Sequence, residues 1–420
     1  MTTNFLNIKD NSFKYFFFIF YYLIFLTSFY IQEDSTGGAY NDYRGYKELI
    51  ELFINDFKNT FLNFDQFGER HSPVIIILLS IPYKLGLSDE LVRFIFFNIS
   101  IISVYFFYKC LKIKFKNINS NYLALISLIF FLSPVFRSLS VWPDSRIVGF
   151  HFFIISVYFY LEYFDSKKII FCFLNALFLA IASYFSINFC LFSIFFFIKF
   201  YNDLTKLKKI FHYLILNLIL AFPAFYYLFI LDVFFLSSGY TPGSDIGNLG
   251  FENSLNFSNK ILIISSIIFF YLLPFVIYLR EYFLLKKITL YEILLILVFS
   301  IINIYFFSYE TVYTGGGIFF QISHYLFNND ILFFLISSYS LLVVYSILIK
   351  DKKLSNLILV LVLIFSNPQL SIYHKYYDPL LIFMFLTIFS LDINKKYFNY
   401  FNLSILNIFY FTFLILNFLK

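Results

Sequence analysis

The sequence predicts an all-α, polytopic membrane protein with about thirteen transmembrane helices in one membrane domain, residues 1–420. Hydrophobic residues make up 60% of the chain and charged residues only 13%, whereas a soluble domain carries about a quarter charged residues. Long apolar segments recur along the whole chain, and segments of this kind cross a bilayer as helices. Lysine and arginine collect in alternate connecting segments, which is typical of a fixed membrane orientation.

The predicted spans are the apolar segments between polar connections. They lie at residues 15–31, 91–108, 121–136, 147–163, 169–183, 185–200, 210–235, 261–279, 288–307, 331–349, 354–366, 379–391 and 400–418. This order assigns 20 of the 31 lysines and arginines to one set of loops, the cytoplasmic set by the positive-inside rule. We therefore expect a cytoplasmic N-terminus and a C-terminus on the outer side.

The first outside loop, residues 32–90, is predicted to contain two helices rather than a linker. From Leu49 to Phe61, apolar residues recur at helical spacing between charged ones, which predicts an amphipathic helix along the membrane surface. The segment 72–88 is apolar but short and contains Pro82, so we interpret it as an interfacial or re-entrant helix. A span there would move the basic loops to the outside, against the positive-inside rule.

Ionisable residues close to apolar spans are costly and are usually paired or functional. Asp144 stands between two such spans, with Arg137 and Arg146 on either side of it. An Arg–Asp pair that only anchors a helix end accounts for the same residues equally well. Asp42 precedes the amphipathic helix, where an aspartate can also serve as an N-cap.

Three stretches have an order and sidedness that resemble the GT-C superfamily of membrane glycosyltransferases, such as protein O-mannosyltransferases and lipid A aminoarabinose transferases. They are "ERHSPVIIILLSIPYKLGLSDELVRF" (69–94), "FLSPVFRSLSVWPDSR" (131–146) and "YHKYYDPLLIFM" (373–384). The resemblance covers residues 1–165, with 91–165 completing the core after the first loop. Residues 166–420 match only in topology and in the last motif. The family often has a paired Asp-Glu in the first loop, whereas this chain has Glu33-Asp34.

The resemblance implies a bacterial inner-membrane enzyme that takes a sugar from a polyprenyl-phosphate donor on the periplasmic face. A glycan, lipid or protein would be the acceptor, and nucleic acid is not an expected partner. The acceptor must lose a proton as it attacks the sugar, which a carboxylate base allows. The transition state is oxocarbenium-like and the leaving group is a phosphate, so cations must gather negative charge.

The resemblance assigns candidate roles to named residues on the predicted outer face. Asp42 is the first choice for the base and Asp34 the second, with Asp144 as a further essential acid. Donor phosphate would be held by Arg137, Arg146, Arg70 and Lys375. Substrate contacts are expected from Tyr43, His71, His374 and Tyr376.

Several of these candidates have a simpler interpretation that the sequence leaves open. Lys375 and Tyr376 could be an ordinary interfacial anchor. No cofactor is required by the pattern; a divalent metal is allowed by the resemblance, but the histidine spacing does not specify one. "TGGG" (314–317) could approach a phosphate but lacks the P-loop frame, so a flexible loop is the simpler interpretation.

Two other function classes fit a polytopic membrane protein. A secondary transporter would show internal repeats and broken helices near mid-membrane, and neither pattern is evident in the sequence. An O-antigen polymerase or ligase would also use lipid-linked glycans. Such enzymes usually place their main loop in the C-terminal half, whereas the large loop here follows the first helix.

Overall fold

The computed structural model describes residues 2–35, 38–69, 71–235, 256–310, 315–350, 354–367 and 371–418. Within these ranges the regular structure is helical, with no β-strand. The α-helices are α1 Thr2–Tyr30, α2 Ala39–Asn55, α3 Phe57–Leu62, α4 Val74–Lys84, α5 Asp89–Ile99, α6 Ile101–Lys114, α7 Ser120–Leu128, α8 Pro134–Val141, α9 Ser145–Ser166, α10 Ile170–Phe185, α11 Phe192–Lys206, α12 Ile210–Phe225, α13 Phe257–Leu272, α14 Arg280–Phe283, α15 Leu290–Tyr305, α16 Gly317–Phe327, α17 Ile331–Val344, α18 Leu354–Phe365, α19 Leu380–Leu386 and α20 Tyr400–Phe418.

Among the described residues, eight helical segments are long and apolar enough to cross a membrane, and a bent pair would make a ninth. The protein is therefore a multi-pass membrane protein. The eight segments are Phe13–Tyr30, Asp89–Lys114, Ser145–Ser166, Ile187–Lys206, Ile210–Ile230, Phe257–Phe275, Ile331–Ile349 and Tyr400–Asn417. Each coincides with a span predicted from the sequence.

The bent pair accounts for the predicted span at 121–136. Ser120–Leu132 and Pro134–Val141 form an angle of 61°. Pro134 has no N–H to continue the first helix and occupies the first turn of α8, where proline fits well. The hydroxyl of Ser133 accepts the N–H of Phe136 at 3.0 Å and caps the new helix.

The remaining predicted spans are not confirmed. The predicted spans 169–183, 288–307 and 354–366 correspond to the shorter apolar helices α10, α15 and α18. The predicted span 379–391 is not one continuous helix, because α19 ends at Leu386 after seven residues. Its apolar residues lie in the protein interior, which hydropathy alone does not distinguish from a lipid-facing segment.

Both helices predicted in the first outside loop are present. The amphipathic helix begins earlier than predicted, at Ala39, and buries one face that includes Tyr43, Tyr46 and Leu49. It breaks at Asp56, whose carboxylate accepts the N–H of Asn59 at 3.1 Å and starts α3. The second helix, α4, continues through Pro82 but has only 11 residues. That is too short to cross a bilayer about 30 Å thick.

The chain divides into two compact units. The first contains residues 1–190, 200–238 and 394–420, and the second contains 191–199 and 239–393. The extent of the family resemblance, residues 1–165, stays a prediction. All the acids predicted to act in catalysis belong to the first unit.

In the first unit, α9 packs closely against α10. A Cβ added to Gly149 would lie 3.1 Å from the carbonyl oxygen of Ala182 and 3.0 Å from Cβ of Ser186. The side chain of Asn175 donates to the carbonyl oxygen of Ser156 at 2.9 Å, so a buried polar contact joins the same two helices. These contacts hold α9, and with it the residues at its N-terminus, against a rigid neighbour.

In the second unit, α13 is almost entirely buried. The ammonium group of Lys260 donates to the carbonyl oxygen of Asn367 at 2.5 Å, although both residues are buried. At the N-terminus of α15, Glu292 forms a capping box with Thr289 and an ion pair with Lys350 at 2.6 Å. Glu292 therefore has a structural role at a helix terminus.

Candidate functional site

The connection after α1 fixes the start of α2 through Asp34. One carboxylate oxygen of Asp34 accepts the N–H of Ala39 at 2.9 Å, and the other accepts the N–H of Gly38 at 3.3 Å. These are N–H groups at a helix start that would otherwise lack acceptors. The capping role that the sequence left open for Asp42 is thus performed by Asp34. Asp42 lies in the first turn of α2, where its own N–H donates to the carbonyl oxygen of Gly38 at 2.9 Å.

The turn between α8 and α9 fixes Asp144 and Arg146 together. Asp144 is the N-cap of α9, since its carboxylate accepts the N–H of Arg146 at 2.7 Å. The same carboxylate accepts Nε and Nη2 of Arg146 at 2.7 and 2.6 Å, so the ion pair is bidentate. Asp144 is only 1% exposed. Burial alone would raise the pKa of Asp144, but the charge and hydrogen bonds of Arg146 hold it well below its usual value.

Arg146 also connects this buried acid to the first loop. Its Nη2 donates to Oδ2 of Asp42 at 2.6 Å, across 104 residues of sequence. The side chain of Asp42 retains 32% exposure, whereas Asp144 is enclosed. The two acids predicted to be essential, and one predicted phosphate ligand, therefore meet at one guanidinium group.

Tyr46, His71 and Glu69 lie beside the same cluster. The rings of Tyr46 and His71 meet edge to face with centroids 6.3 Å apart. Nδ1 of His71 contacts Oε1 of Glu69 at 2.6 Å. Burial alone would lower the pKa of His71, but the charge of Glu69, its hydrogen bond to the ring and the charge of Asp144 together raise the pKa above its ordinary value. The predicted contact residue His71 is thus near Asp42, while Arg70 lies outside the described residues.

A second buried arginine has a partner that the sequence analysis did not select. Arg137 donates Nε and Nη2 to Oε2 of Glu33, each at 2.8 Å, and both residues are buried. Arg137 also donates to the carbonyl oxygens of Ile24 and Phe131 at 2.7 and 3.2 Å. Phosphate binding by Arg137 stays a prediction, and a phosphate there would have to compete with Glu33.

Tyr43, predicted as a substrate contact, is buried and joins three helices. Its hydroxyl lies 2.5 Å from that of Tyr83 and donates to Asp89 at 2.9 Å. Lys47 completes the group with an ion pair to Asp89 at 2.8 Å. These contacts connect α2 to α4 and α5, so they position the helix that carries Asp42.

The candidates in the second unit are His374, Lys375 and Tyr376. Nε2 of His374 accepts the N–H of Ile318 at 2.9 Å, and the ammonium group of Lys375 lies 4.9 Å from the ring centre of Tyr373. The Tyr376 ring has its centre 6.2 Å from that of Tyr373. Of the "TGGG" segment, Gly315 to Gly317 are described, and Gly316 gives its N–H to the carbonyl oxygen of Ile372. Thr314 lies outside the described residues.

Among the described residues, no group of three or more histidine, cysteine, aspartate or glutamate side chains is placed to hold a metal ion. The divalent ion allowed by the resemblance stays a prediction.

Sequence reasoning missed Glu33 and Glu69 as members of these clusters. A helical pattern offered one usable signal: Asp42 and Tyr46 are four residues apart, and therefore share a face of α2. No comparable signal joins Glu33 to Arg137, because their pairing depends on how distant helices pack.

No protein-family model matches this chain, and neither a curated protein nor a solved structure matches it. The function must therefore be argued from the site itself.

Proposed function

We propose that this protein is a membrane glycosyltransferase that transfers a sugar from a polyprenyl-phosphate donor to an acceptor hydroxyl or amine. The observation that carries the proposal is the convergence of Asp42, Arg146 and Asp144. The buried carboxylate of Asp144 holds the guanidinium group of Arg146, which in turn fixes the partly exposed carboxylate of Asp42. A carboxylate that is both exposed and fixed in this way suits a positioned general base.

The chemistry assigns each group a task. As the acceptor oxygen or nitrogen bonds to the anomeric carbon, the carboxylate of Asp42 takes the acceptor proton. The bond between the anomeric carbon and the phosphate oxygen breaks, and polyprenyl phosphate leaves with the electron pair. Asp144 keeps Arg146 in place, and Arg146 fixes the direction in which the carboxylate of Asp42 is presented to the acceptor.

The departing phosphate needs positive charge beside it, but the cations of the described cluster already face carboxylates. Arg146 already faces two carboxylates, and His71 faces Glu69. We therefore propose phosphate binding by Arg146 together with Arg70, which lies outside the described residues. Phosphate binding by Lys375, in the second unit, stays a separate prediction. Arginine and lysine suit this task through directed or point-charge contacts.

The proposal includes a location. Basic residues in alternate connections support a cytoplasmic N-terminus and a site on the periplasmic face of a bacterial inner membrane. The acceptor would be a glycan, lipid or protein of the cell envelope. Cysteines introduced singly at Glu48 and at Lys286 test the orientation: an impermeant maleimide added to intact spheroplasts should label only the first. Labelling of only the second would reverse the orientation.

The decisive experiment compares two acids of α2, Asp42 and Glu48, in membranes carrying the full-length protein. Asp42→Asn should lower sugar transfer at least about 100-fold, since a general base contributes that much. Glu48→Gln is the matched control, because Glu48 is an exposed acid on the same helix and should leave transfer unchanged. Mass analysis of envelope glycans in a deletion strain would identify the product to be assayed.

Three outcomes would change the assignment. Full activity in Asp42→Asn with loss in Asp34→Asn would move the base to Asp34. Retained transfer in Asp42→Asn, Asp144→Asn and Arg146→Ala would reject the site. If the envelope glycans disappear from cells of the deletion strain while membranes isolated from that strain still transfer sugar, a transporter would be favoured.

A further inference from the structure

Three buried polar atoms, on residues around the Asp42–Arg146 contact or next in sequence to it, have no hydrogen-bond partner among the described residues. They are Oη of Tyr46, Oγ of Ser145 and Nε2 of His71. Tyr46 is fully buried, with 0% exposure, and Ser145 is also buried. A buried polar atom without a partner costs stability, so such atoms in a native protein are unusual and point to a role.

Two of these atoms belong to residues in contact with each other, and the third belongs to a residue next in sequence to both members of the Asp144–Arg146 pair. Tyr46 lies one helical turn after Asp42, and its ring contacts that of His71. Ser145 stands between Asp144 and Arg146 at the first residue of α9. Burial raises the pKa of Tyr46 well above its ordinary value, and the charges of Asp144, Glu69 and Asp42 raise it further. The hydroxyl of Tyr46 therefore remains protonated and available as a donor.

The charges of the cluster indicate what it binds. Asp42 and Asp144 both pair with Arg146, and Glu69 pairs with His71. Each of these charged side chains has a side chain of opposite charge beside it within the protein, so a ligand need not bring a charge of its own. The hydroxyls of Tyr46 and Ser145 can both donate and accept hydrogen bonds. A neutral group that carries several hydroxyls suits this set of donors and acceptors.

We infer that Tyr46, Ser145 and His71 receive hydroxyl groups of the transferred sugar ring, and that Tyr46 determines which sugar is accepted. The identity of the hydroxyl-bearing group as a sugar rests on the proposed function. A site built to hydrogen-bond a substrate hydroxyl discriminates strongly against the analogue that lacks it, because its own buried group is then left unsatisfied. Tyr46 is therefore a specificity-determining residue, distinct from the base Asp42.

Trp142 provides a direct measure of binding. It is the only tryptophan in the chain, it lies two residues before Asp144, and its indole N–H donates to the carbonyl oxygen of Glu33 at 3.1 Å. We expect the fluorescence of Trp142, excited selectively in the purified full-length protein, to change when the adjoining site is occupied. The probes are farnesyl phosphate and farnesyl-phosphate-linked glucose, galactose, mannose and arabinose.

Tyr46→Phe should weaken binding of the preferred sugar-linked probe about tenfold, the effect of one hydrogen bond. Binding of farnesyl phosphate without a sugar should not change. The melting temperature should stay the same or rise, because an unpartnered buried hydroxyl is removed. Tyr105→Phe removes an exposed hydroxyl outside the cluster and is the matched control.

Other results would overturn the inference. Equal weakening of both probes would mean that Tyr46 contacts the phosphate. Unchanged affinity for every probe would mean that it contacts neither, and a melting temperature several degrees lower would mean that its hydroxyl supports the fold.

A transfer assay separates this inference from the proposed function. Sugar-dependent binding that Tyr46→Phe weakens, without any transfer by the wild-type protein, would leave the sugar subsite standing and reject the enzyme. Transfer that requires Asp42 but does not change in Tyr46→Phe would support the enzyme and reject the sugar subsite at Tyr46.

Discussion

Two buried arginines in the first unit have opposite environments. Arg137 and its partner Glu33 are both enclosed, and the guanidinium group also donates to backbone carbonyl oxygens of α1 and of the Ile129–Leu132 turn. Arg146 is also buried but connects an enclosed acid, Asp144, to a partly exposed one, Asp42. The first pair faces only protein, whereas the second reaches solvent.

This difference separates a structural pair from a candidate reactive one. A buried ion pair contributes little net stability over apolar replacements, but removing one partner leaves an uncompensated charge and costs much more. A carboxylate with part of its surface exposed can instead meet a ligand. Substitutions at the two arginines should therefore affect different properties, stability at Arg137 and activity at Arg146.

The largest expected effect is that of Arg137→Ala. Removing the guanidinium group leaves Glu33 buried without its counter-charge, and we expect a loss of about 3–5 kcal/mol in the free energy of unfolding. Denaturant titration of the purified protein in detergent, followed by circular dichroism, measures it. The double variant Arg137→Met with Glu33→Leu should recover most of that loss. A wild-type melting curve for Arg137→Ala alone would contradict the structural role.

The next effect in size is that of Asp144→Asn. The amide keeps an acceptor for the N–H of Arg146 but removes the charge that holds its guanidinium group, so we expect about 2 kcal/mol of destabilisation at neutral pH. Since the pKa of Asp144 is lowered in the folded protein, its contribution is present above the ordinary aspartate pKa and is lost as the pH falls. The difference between wild type and variant should therefore shrink in acid. A difference independent of pH would be inconsistent with an ionised Asp144.

A smaller effect, about 1 kcal/mol, is expected for Asp34→Ala, which removes the acceptor for the first N–H groups of α2. Asp34→Asn should cost less because an asparagine side chain also caps a helix. Thermal melts of the two variants make the comparison. If Asp34→Ala has the same melting temperature as wild type yet abolishes transfer, the carboxylate of Asp34 acts in catalysis rather than as a cap.

The smallest effect concerns His71. Because its folded-state pKa is raised, the stability from its pair with Glu69 is complete below the ordinary histidine pKa, and it is lost as the pH rises through the folded value. We expect about 0.5 kcal/mol, within the range of a partly screened pair. Melting temperatures of wild type and His71→Gln should therefore converge as the pH rises through neutrality. Glu69→Gln should remove the same pH dependence, and divergence with rising pH would contradict the pairing.

How much of this could be predicted from sequence differs between the fold and the site. Hydropathy located the eight candidate membrane spans found in the described part of the chain, because segments so long and so apolar are typical of helices that cross a bilayer. It failed at 379–391, where apolar residues such as Phe385 and Phe389 are buried inside the second unit. Hydropathy measures aversion to water and does not distinguish lipid from protein interior.

At the site, the residue types were predicted better than their partners. Asp42, Asp144 and Arg146 were selected from their places next to helices, and the structure brings them together. The sequence offered four acids between residues 32 and 48 without indicating which one meets Arg137. That choice depends on the 61° bend before α8, the helix that carries Arg137, and the bend has only Ser133 and Pro134 as local signals.

The Glu33–Arg137 pair also has a consequence for biosynthesis. Its two members are separated by 104 residues, and chains are made and folded from the N-terminus. When the first helix enters the membrane, Glu33 has no counter-charge from Arg137 until the helices up to α8 have been synthesised. A nascent chain halted before Arg137 would expose an unneutralised acid at the end of its first helix. We expect such a chain to be a substrate for membrane quality-control proteases, and the completed pair would mark the point at which the bundle becomes resistant to them.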